Sequence, residues 1–479
     1  MTVVDVLLIP LLVAAACALP IGALARPLAV FSGALTVASV AAATWAGAGG
    51  GAPEAVSWAP SIGGQLTVGI DGPSAALLML SGVLFATGAA MSGGVRSPRA
   101  YFALWSLLQA SVAGILVARD LILFFACWEA LLIPLVLLMW HWGGADRRAV
   151  TMRLLVSWMS GSALLLTGVV ALGVGARTFL LADLGSYRLA ESSQVLFALL
   201  FLAAFAVRLP LFPFHGWLAR TYGAAPVPVA IVLAGVISKT AVYAIARVCV
   251  PLFPRGMAIL APMLIALALA GALYGALLAT RQRDTRTFIA YAALSQLDFI
   301  ALGVFLGSTE GVEGALLASV SHGLVVATLF VLVAAIARRT GTFNIGSFIG
   351  SGGLVSRAPA LMGFFLIAIL AAIGVPGTSG APGDLLILAA AFARSSGVGL
   401  VAAVVMVLSA GYGVALVRSF FFGPPTDGSD GPASRVDLGW PERAVVIPLL
   451  VLVVAFGVVP RVIGDLADRS APVFVEPTR

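Results

Sequence analysis

Long apolar runs alternate along this chain with short punctuation of Gly, Pro and arginine. They fall at roughly 3–25, 28–48, 72–95, 101–118, 120–141, 152–175, 193–218, 226–250, 256–279, 286–306, 312–337, 358–393, 397–421 and 442–463. A helix of about 20 apolar residues crosses a bilayer core, so the pattern predicts an all-α polytopic membrane protein with about 14 transmembrane helices. Two runs exceed that length and are interrupted, one by Leu209-Pro-Leu-Phe-Pro-Phe-His215 and one by Val375-Pro-Gly-Thr-Ser-Gly-Ala-Pro-Gly-Asp384. Proline removes a backbone donor and glycine loosens the ladder, so helices 7 and 12 are expected to break within the membrane.

Broken helices in matching positions point to an inverted-repeat transporter architecture, here two five-helix units. Two unrelated proline kinks are the plainer alternative. The expected organisation is helices 1–3 in residues 1–100, a first repeat (helices 4–8) in 101–250 and a second (helices 9–13) in 251–422. A Gly/Pro/Asp-rich linker and helix 14 follow in 423–479.

Composition agrees with a membrane location. Hydrophobic residues make up 61% and charged residues 10%, with a mean hydropathy of +1.10, whereas soluble chains carry about 25% charge. The net charge of +7 reads as loop arginine, because no basic–aromatic surface of a nucleic-acid binder is present. Cys17, Cys127 and Cys249 are too far apart for a disulfide framework or cluster-ligand spacing, and His141, His215 and His322 are isolated. The run at 3–25 lacks a basic leader and is long for a signal peptide, so it is expected to be the first membrane helix.

Arginine placement sets the orientation. With the amino terminus outside, inner loops receive roughly twice as many arginines as outer ones, which favours both termini on the periplasmic side. The outer loop 49–71 holds no basic residue at all.

Few charges lie inside the helices. Lys239 is the only lysine among 27 basic residues and sits mid-run, where a charge costs roughly 2.5–3.5 kcal/mol on insertion scales. A buried lysine can release its proton, whereas arginine stays charged, so Lys239 suggests proton handling; a buried Lys–carboxylate strut is the alternative. Glu129 falls near the middle of helix 5, with Arg208 at the helix 7 break as the cation placed to tune it. A fixed Glu129–Arg208 ion pair without a transport role would use the same residues. Asp384 follows the second break, where freed backbone groups gather. His322 is a candidate proton relay or a packing histidine, and His215 either belongs to the broken segment or marks the inner water boundary. Asp298 needs a partner the sequence does not name. Tyr243, one turn beyond Lys239, is expected to solvate its amine, and Arg247 to snorkel to the interface.

These residues resemble the antiporter-like subunits of respiratory complex I, most closely the M type (subunit-4 type). Glu129 stands in a Phe-Trp-Glu…Ile-Pro pattern. Phe205-Ala-Val-Arg-Leu-Pro-Leu-Phe-Pro-Phe-His-Gly-Trp-Leu218 is similar to the family's seventh-helix signature and Leu233-Ala-Gly-Val-Ile-Ser-Lys239 to its eighth. Ile289–Ser295, Ser321-His-Gly-Leu324, Pro376-Gly-Thr-Ser-Gly380 and Ser409-Ala-Gly-Tyr-Gly413 continue it in order, over about residues 70–460.

The resemblance implies two inverted repeats, a half-channel in each, and a central polar axis that carries protons across the bacterial cytoplasmic membrane. Glu129, Lys239 and His322 match axis residues, and Asp384 stands where the M type has glutamate. Arg208 replaces the seventh-helix lysine, Gln296 a relay histidine, Asp298 a usual glycine and Ala219-Arg220 a usual Pro-Asp. The chain is thereby expected to be a non-redox, proton-translocating subunit of an NADH:quinone oxidoreductase with no cofactor of its own. NADH, FMN, iron–sulfur clusters and quinone would lie in partner subunits, beside L- and N-type membrane neighbours. A cation/proton antiporter subunit, a hydrogenase-linked relative and a non-pumping structural subunit are the alternatives.

Overall fold

A computed structural model describes residues 3–20, 22–45, 54–59, 64–345, 358–422 and 437–468. Every apolar run carries helix. In chain order these are α1 (Val3–Ala18), α2 (Ala25–Trp45), α3 (Gly72–Met91), α4 (Pro98–Val117), α5 (Leu121–Trp142), α6 (Arg147–Ala176) and α7 (Glu191–Arg208). Then come α8 (Val227–Leu252), α9 (Pro254–Ala279), α10 (Thr285–Phe305), α11 (Thr309–Thr340), α12 in two halves (Pro359–Ala372 and Gly380–Arg394), α13 (Ser396–Phe421) and α14 (Trp440–Val458). Among the described residues, 12 helices are long and apolar enough to cross a membrane; α1 is shorter and α12 is divided.

Both expected breaks are present. α7 stops at Arg208 and the chain resumes as a 3-10 turn at Phe214–Trp217 and a short helix at Leu218–Ala224. Between the halves of α12, Gly374 and Gly377 take left-handed φ values of 71° and 89°, backbone that glycine enters at no steric cost. A third interruption was not foreseen. α5 is discontinuous at Leu131, because Pro134 offers no N–H to the Ala130 carbonyl and its ring crowds it. α8 is also irregular, with π-helical turns at Leu233–Ile237 and Ile245–Cys249 on either side of Lys239.

Outside the helices, Glu54–Ala59 (β1) and Gly64–Val68 (β2) pair antiparallel in the loop before α3, with Glu54 opposite Val68. In place of the plain outer loop expected there, the alternating, β-prone residues of these segments form a hairpin. The Gly/Pro/Asp-rich linker expected over 423–440 lies mostly outside the described residues.

Burial divides the helices into centre and rim. In α8 and α11, 94% of the apolar stretch is enclosed, against 22% in α14. The rim turns aliphatic side chains outward, among them Val156, Val407 and Val451, as helices facing lipid do. The lone lysine and His322 thus lie on the two most enclosed helices.

Candidate functional site

Lys239 is fully buried. Helical side chains point back toward the amino terminus of their own helix, and Lys239 curls onto the widened π turn that precedes it. Its Nζ donates to the Ala234 carbonyl at 2.5 Å and lies 3.4 Å from Ser238 Oγ. The third partner is His322 Nδ1, at 2.6 Å. An ammonium has donors only, so with Lys239 charged the imidazole must accept at Nδ1. With His322 protonated there, Lys239 must be the neutral acceptor. A neutral Lys239 amine can make the same contact as donor or acceptor, so the geometry supplies one hydrogen bond between two bases along which a proton can pass.

His322 also borders a cavity of about 40 Å³ whose wall includes Ser321, Gln296, Asp384 and Tyr412. A water needs about 10–15 Å³ by this measure, so the space accommodates roughly three or four. Asp384, buried in the first turns of the second half of α12, accepts from Gln296 Nε2 at 3.1 Å (Oδ2) and 3.3 Å (Oδ1). Ser321 and Ser379 hydroxyls, 2.7 Å apart, tie α11 to the α12 break. Lys239 thus touches His322, and His322 and Asp384 border one cavity with largely apolar walls, with Gln296 fixing the carboxylate.

The other expected residues stand apart from this line. Arg208 makes no contact ion pair with Glu129 among the described residues, so the fixed pair is not formed, although the two charges still act on each other at longer range, as the tuning expectation requires. Its guanidinium is instead sandwiched between the rings of Trp128 (3.5 Å) and Trp158 (4.6 Å) and donates to the Trp128 carbonyl at 3.0 Å. The aromatic faces and one carbonyl stand in for part of its hydration, while Nε and Nη1 are buried without a hydrogen-bond partner. Glu129 Oε1 is buried without a hydrogen-bond partner. Asp298 is fully buried against α9, where a Cβ added to Gly271 would meet its Oδ2 at 1.7 Å. The Phe212 peptide approaches its carboxylate, but without hydrogen-bond geometry, so Asp298 sits beneath the α7 break and not on the line. His215 packs between Phe212 and Tyr274, at 5.6 and 4.9 Å between ring centres.

Two expectations about α8 are overturned. Tyr243 does not solvate Lys239; its hydroxyl donates to the Leu116 carbonyl at 2.9 Å and accepts from Arg119 at 3.1 Å. Arg247 does not snorkel outward but pairs with Asp71 at 2.6 Å, and Arg119 joins the same carboxylate at 3.3 Å. Asp71 also caps α3 through Ser74. Burial would raise the Asp71 carboxyl, but Arg247, Arg119 and Ser74 hold it below its ordinary range. Here long-range packing supplies an anion near the helix end, so neither side chain needs the role its own helix suggested. This latch binds the end of α8 to the starts of α3 and α5. Its one legible signal was Asp71 before Gly72-Pro73-Ser74, a helix-start pattern.

Helices broken at matching places around a buried lysine–histidine–carboxylate line define an antiporter-like membrane subunit. The chain belongs to the NADH:quinone oxidoreductase/Mrp antiporter transmembrane family, whose model matches residues 118–409. It is 33% identical to NADH-quinone oxidoreductase subunit M of Rhodobacter capsulatus, over 85% of this chain and 82% of that protein. Identity to NAD(P)H-quinone oxidoreductase chain 4 1 of Synechococcus sp. is 32%, over 87% of this chain and 80% of that protein. It superposes on a chain of respiratory complex I from Thermus thermophilus with a TM-score of 0.88 and 30% identity, covering 99% of this chain and 100% of the other.

Proposed function

We propose that the chain is a non-redox, proton-translocating subunit in the membrane arm of an NADH:quinone oxidoreductase. The observation that carries this is the 2.6 Å contact between Lys239 and His322, with Asp384 across a cavity of water size. Lys239 and His322 exchange one proton directly, and water in the cavity passes it to or from Asp384. Glu129 loads the line from the first repeat (residues 101–250), and Asp384 serves the second (251–422). Arg208 acts as a fixed charge that biases the axis, Asp298 is a buried acid beneath the α7 break, and His215 borders the entry there. Redox energy arrives through partner subunits holding NADH, FMN, iron–sulfur clusters and quinone, with L- and N-type subunits as membrane neighbours. Both termini face the periplasm of a bacterial cytoplasmic membrane, in line with the arginine asymmetry.

The test is proton uptake by the assembled complex in reconstituted vesicles. Replacement of Lys239 by Ala should abolish pumping through this subunit; a Lys239→Ala complex that pumps at the normal rate sinks the proposal.

The family's antiporter branch supports a second reading, an exchanger subunit using the same line. Purification in mild detergent separates the two: dehydrogenase and iron–sulfur subunits accompany a redox pump, and small hydrophobic subunits alone accompany an exchanger.

A further inference from the structure

Where the arginines gather, the turn between α3 and α4 and the turn between α5 and α6 enclose a cleft of about 470 Å³. Arg96, Arg147 and Arg148 line its mouth, and Trp140, His141 and Trp142 its wall. Deeper in, Leu104 on α4 and Leu137 on α5 make the surface apolar. Trp142 Nε1 donates to the Arg96 carbonyl at 2.7 Å, which joins the two turns into one rim.

The three guanidiniums are held out of any ion pair among the described residues. Arg148 lies over the Trp140 ring at 5.8 Å, and Arg147 reaches the Gly143 carbonyl at 3.5 Å. The first turns of α4 and α6 open on the same cleft, and neither Ser97 nor Asp146 caps them with its side chain. Backbone N–H groups there add to the positive field. Arginine forks match phosphate oxygens two at a time, and indoles favour the headgroup level of a bilayer. Below the rim, Ile133 on α5 and Met152 and Val156 on α6 are exposed and apolar.

We propose that this cleft binds an anionic phospholipid. Its phosphodiester is held by Arg96, Arg147 and Arg148, and its acyl chains lie along Leu104 and Leu137. A free phosphate shares the headgroup chemistry but leaves the apolar depth of the cleft unfilled. A partner protein would have to bring carboxylates to the same three arginines. The lipid site stands independently of the proton line, since it shares no residue with it.

The test uses the full-length chain, purified with its membrane partners, and counts retained phospholipid by native mass spectrometry after exchange into detergent. The native protein should keep phosphatidylglycerol or cardiolipin. The Arg96→Gln/Arg147→Gln/Arg148→Gln variant should bind it at least roughly tenfold more weakly. Arg153→Gln, an arginine on α6 outside the cleft lining, should match the native protein. If the triple variant fails to assemble, single Arg→Gln variants should show graded losses. Excess inorganic phosphate should leave the lipid in place, and a photo-crosslinker at Ala100 should capture lipid. Equal retention in the arginine variants, displacement by inorganic phosphate, or capture of a neighbouring subunit at Ala100 would each overturn the assignment.

Discussion

Lys239 Nζ and His322 Nδ1 stand 2.6 Å apart on α8 and α11, the two most enclosed helices of the bundle. At that distance one of the two atoms donates a hydrogen bond and the other accepts it. On the proposed role, a charge arriving nearby would move a proton between them by a short step and not by a side-chain swing.

Substitutions of the pair should therefore fail in different ways. Lys239→Ala should lower proton pumping by at least about tenfold, a loss in the range typical for removing a positioned acid–base group. Lys239→Arg keeps a charge but not an exchangeable proton, and should pump no better. Both are read as proton uptake in proteoliposomes at matched turnover of the redox partners.

Gln296 holds Asp384 by a pair of bonds from one amide nitrogen. Gln296→Ala leaves the carboxylate without that donor and should cost about 1–3 kcal/mol of stability, visible as a lowered unfolding temperature in detergent. Asp384→Asn should stop pumping, whereas Asp384→Glu should keep a large part of it, because the longer arm still presents an acid to the cavity. Equal pumping by the Asn and Glu forms would remove Asp384 from the line.

Arg208 owes its place to Trp128 and Trp158. Trp158→Leu should destabilise the protein by about 2 kcal/mol, a desolvated cation–π contact, measured by thermal unfolding. Arg208→Lys tests whether this cation limits transport: pumping should change by less than roughly twofold, since the proposed line runs through Lys239, His322 and Asp384. A large gain would mean that the native arginine impairs the pump.

At the other end of α8, the Asp71 latch makes stability depend on acid. The carboxyl lies below its ordinary value of 3.8 in the folded protein. Its contribution is therefore complete above that value and is lost as pH falls through the lower folded-state value. Asp71→Asn should flatten this acid limb of the unfolding temperature while leaving its slope near neutrality unchanged.

Asp298 and Gly271 form a packing pair. A methyl at Gly271 would fall 1.7 Å from the carboxylate, so Gly271→Ala should reduce the amount of folded protein in membranes, at a cost of about 1–3 kcal/mol for overpacking. Asp298→Gly in the same chain should restore much of it, measured by quantitative blot and thermal unfolding. Failure of the rescue would shift the clash to Phe212, whose Cβ is the next neighbour.

The sequence by itself determined the helical membrane fold, because a bilayer leaves the backbone no other way to satisfy its polar groups than the helices these runs form. It also determined the two principal breaks, through proline and glycine, and singled out Lys239, His322 and Asp384 as charges expensive enough to need a purpose. Partnership was decided only by tertiary structure. Lys239 and His322 are 83 positions apart in the chain, and no local pattern brings them together. Arg208 looked like a partner for Glu129, yet aromatic faces from α5 and α6 solvate it. Tyr243 and Arg247 share a helix with Lys239 but answer to Asp71, Arg119 and Leu116 across the bundle. A helical period says which way a side chain faces; what it meets there depends on the packing of other helices.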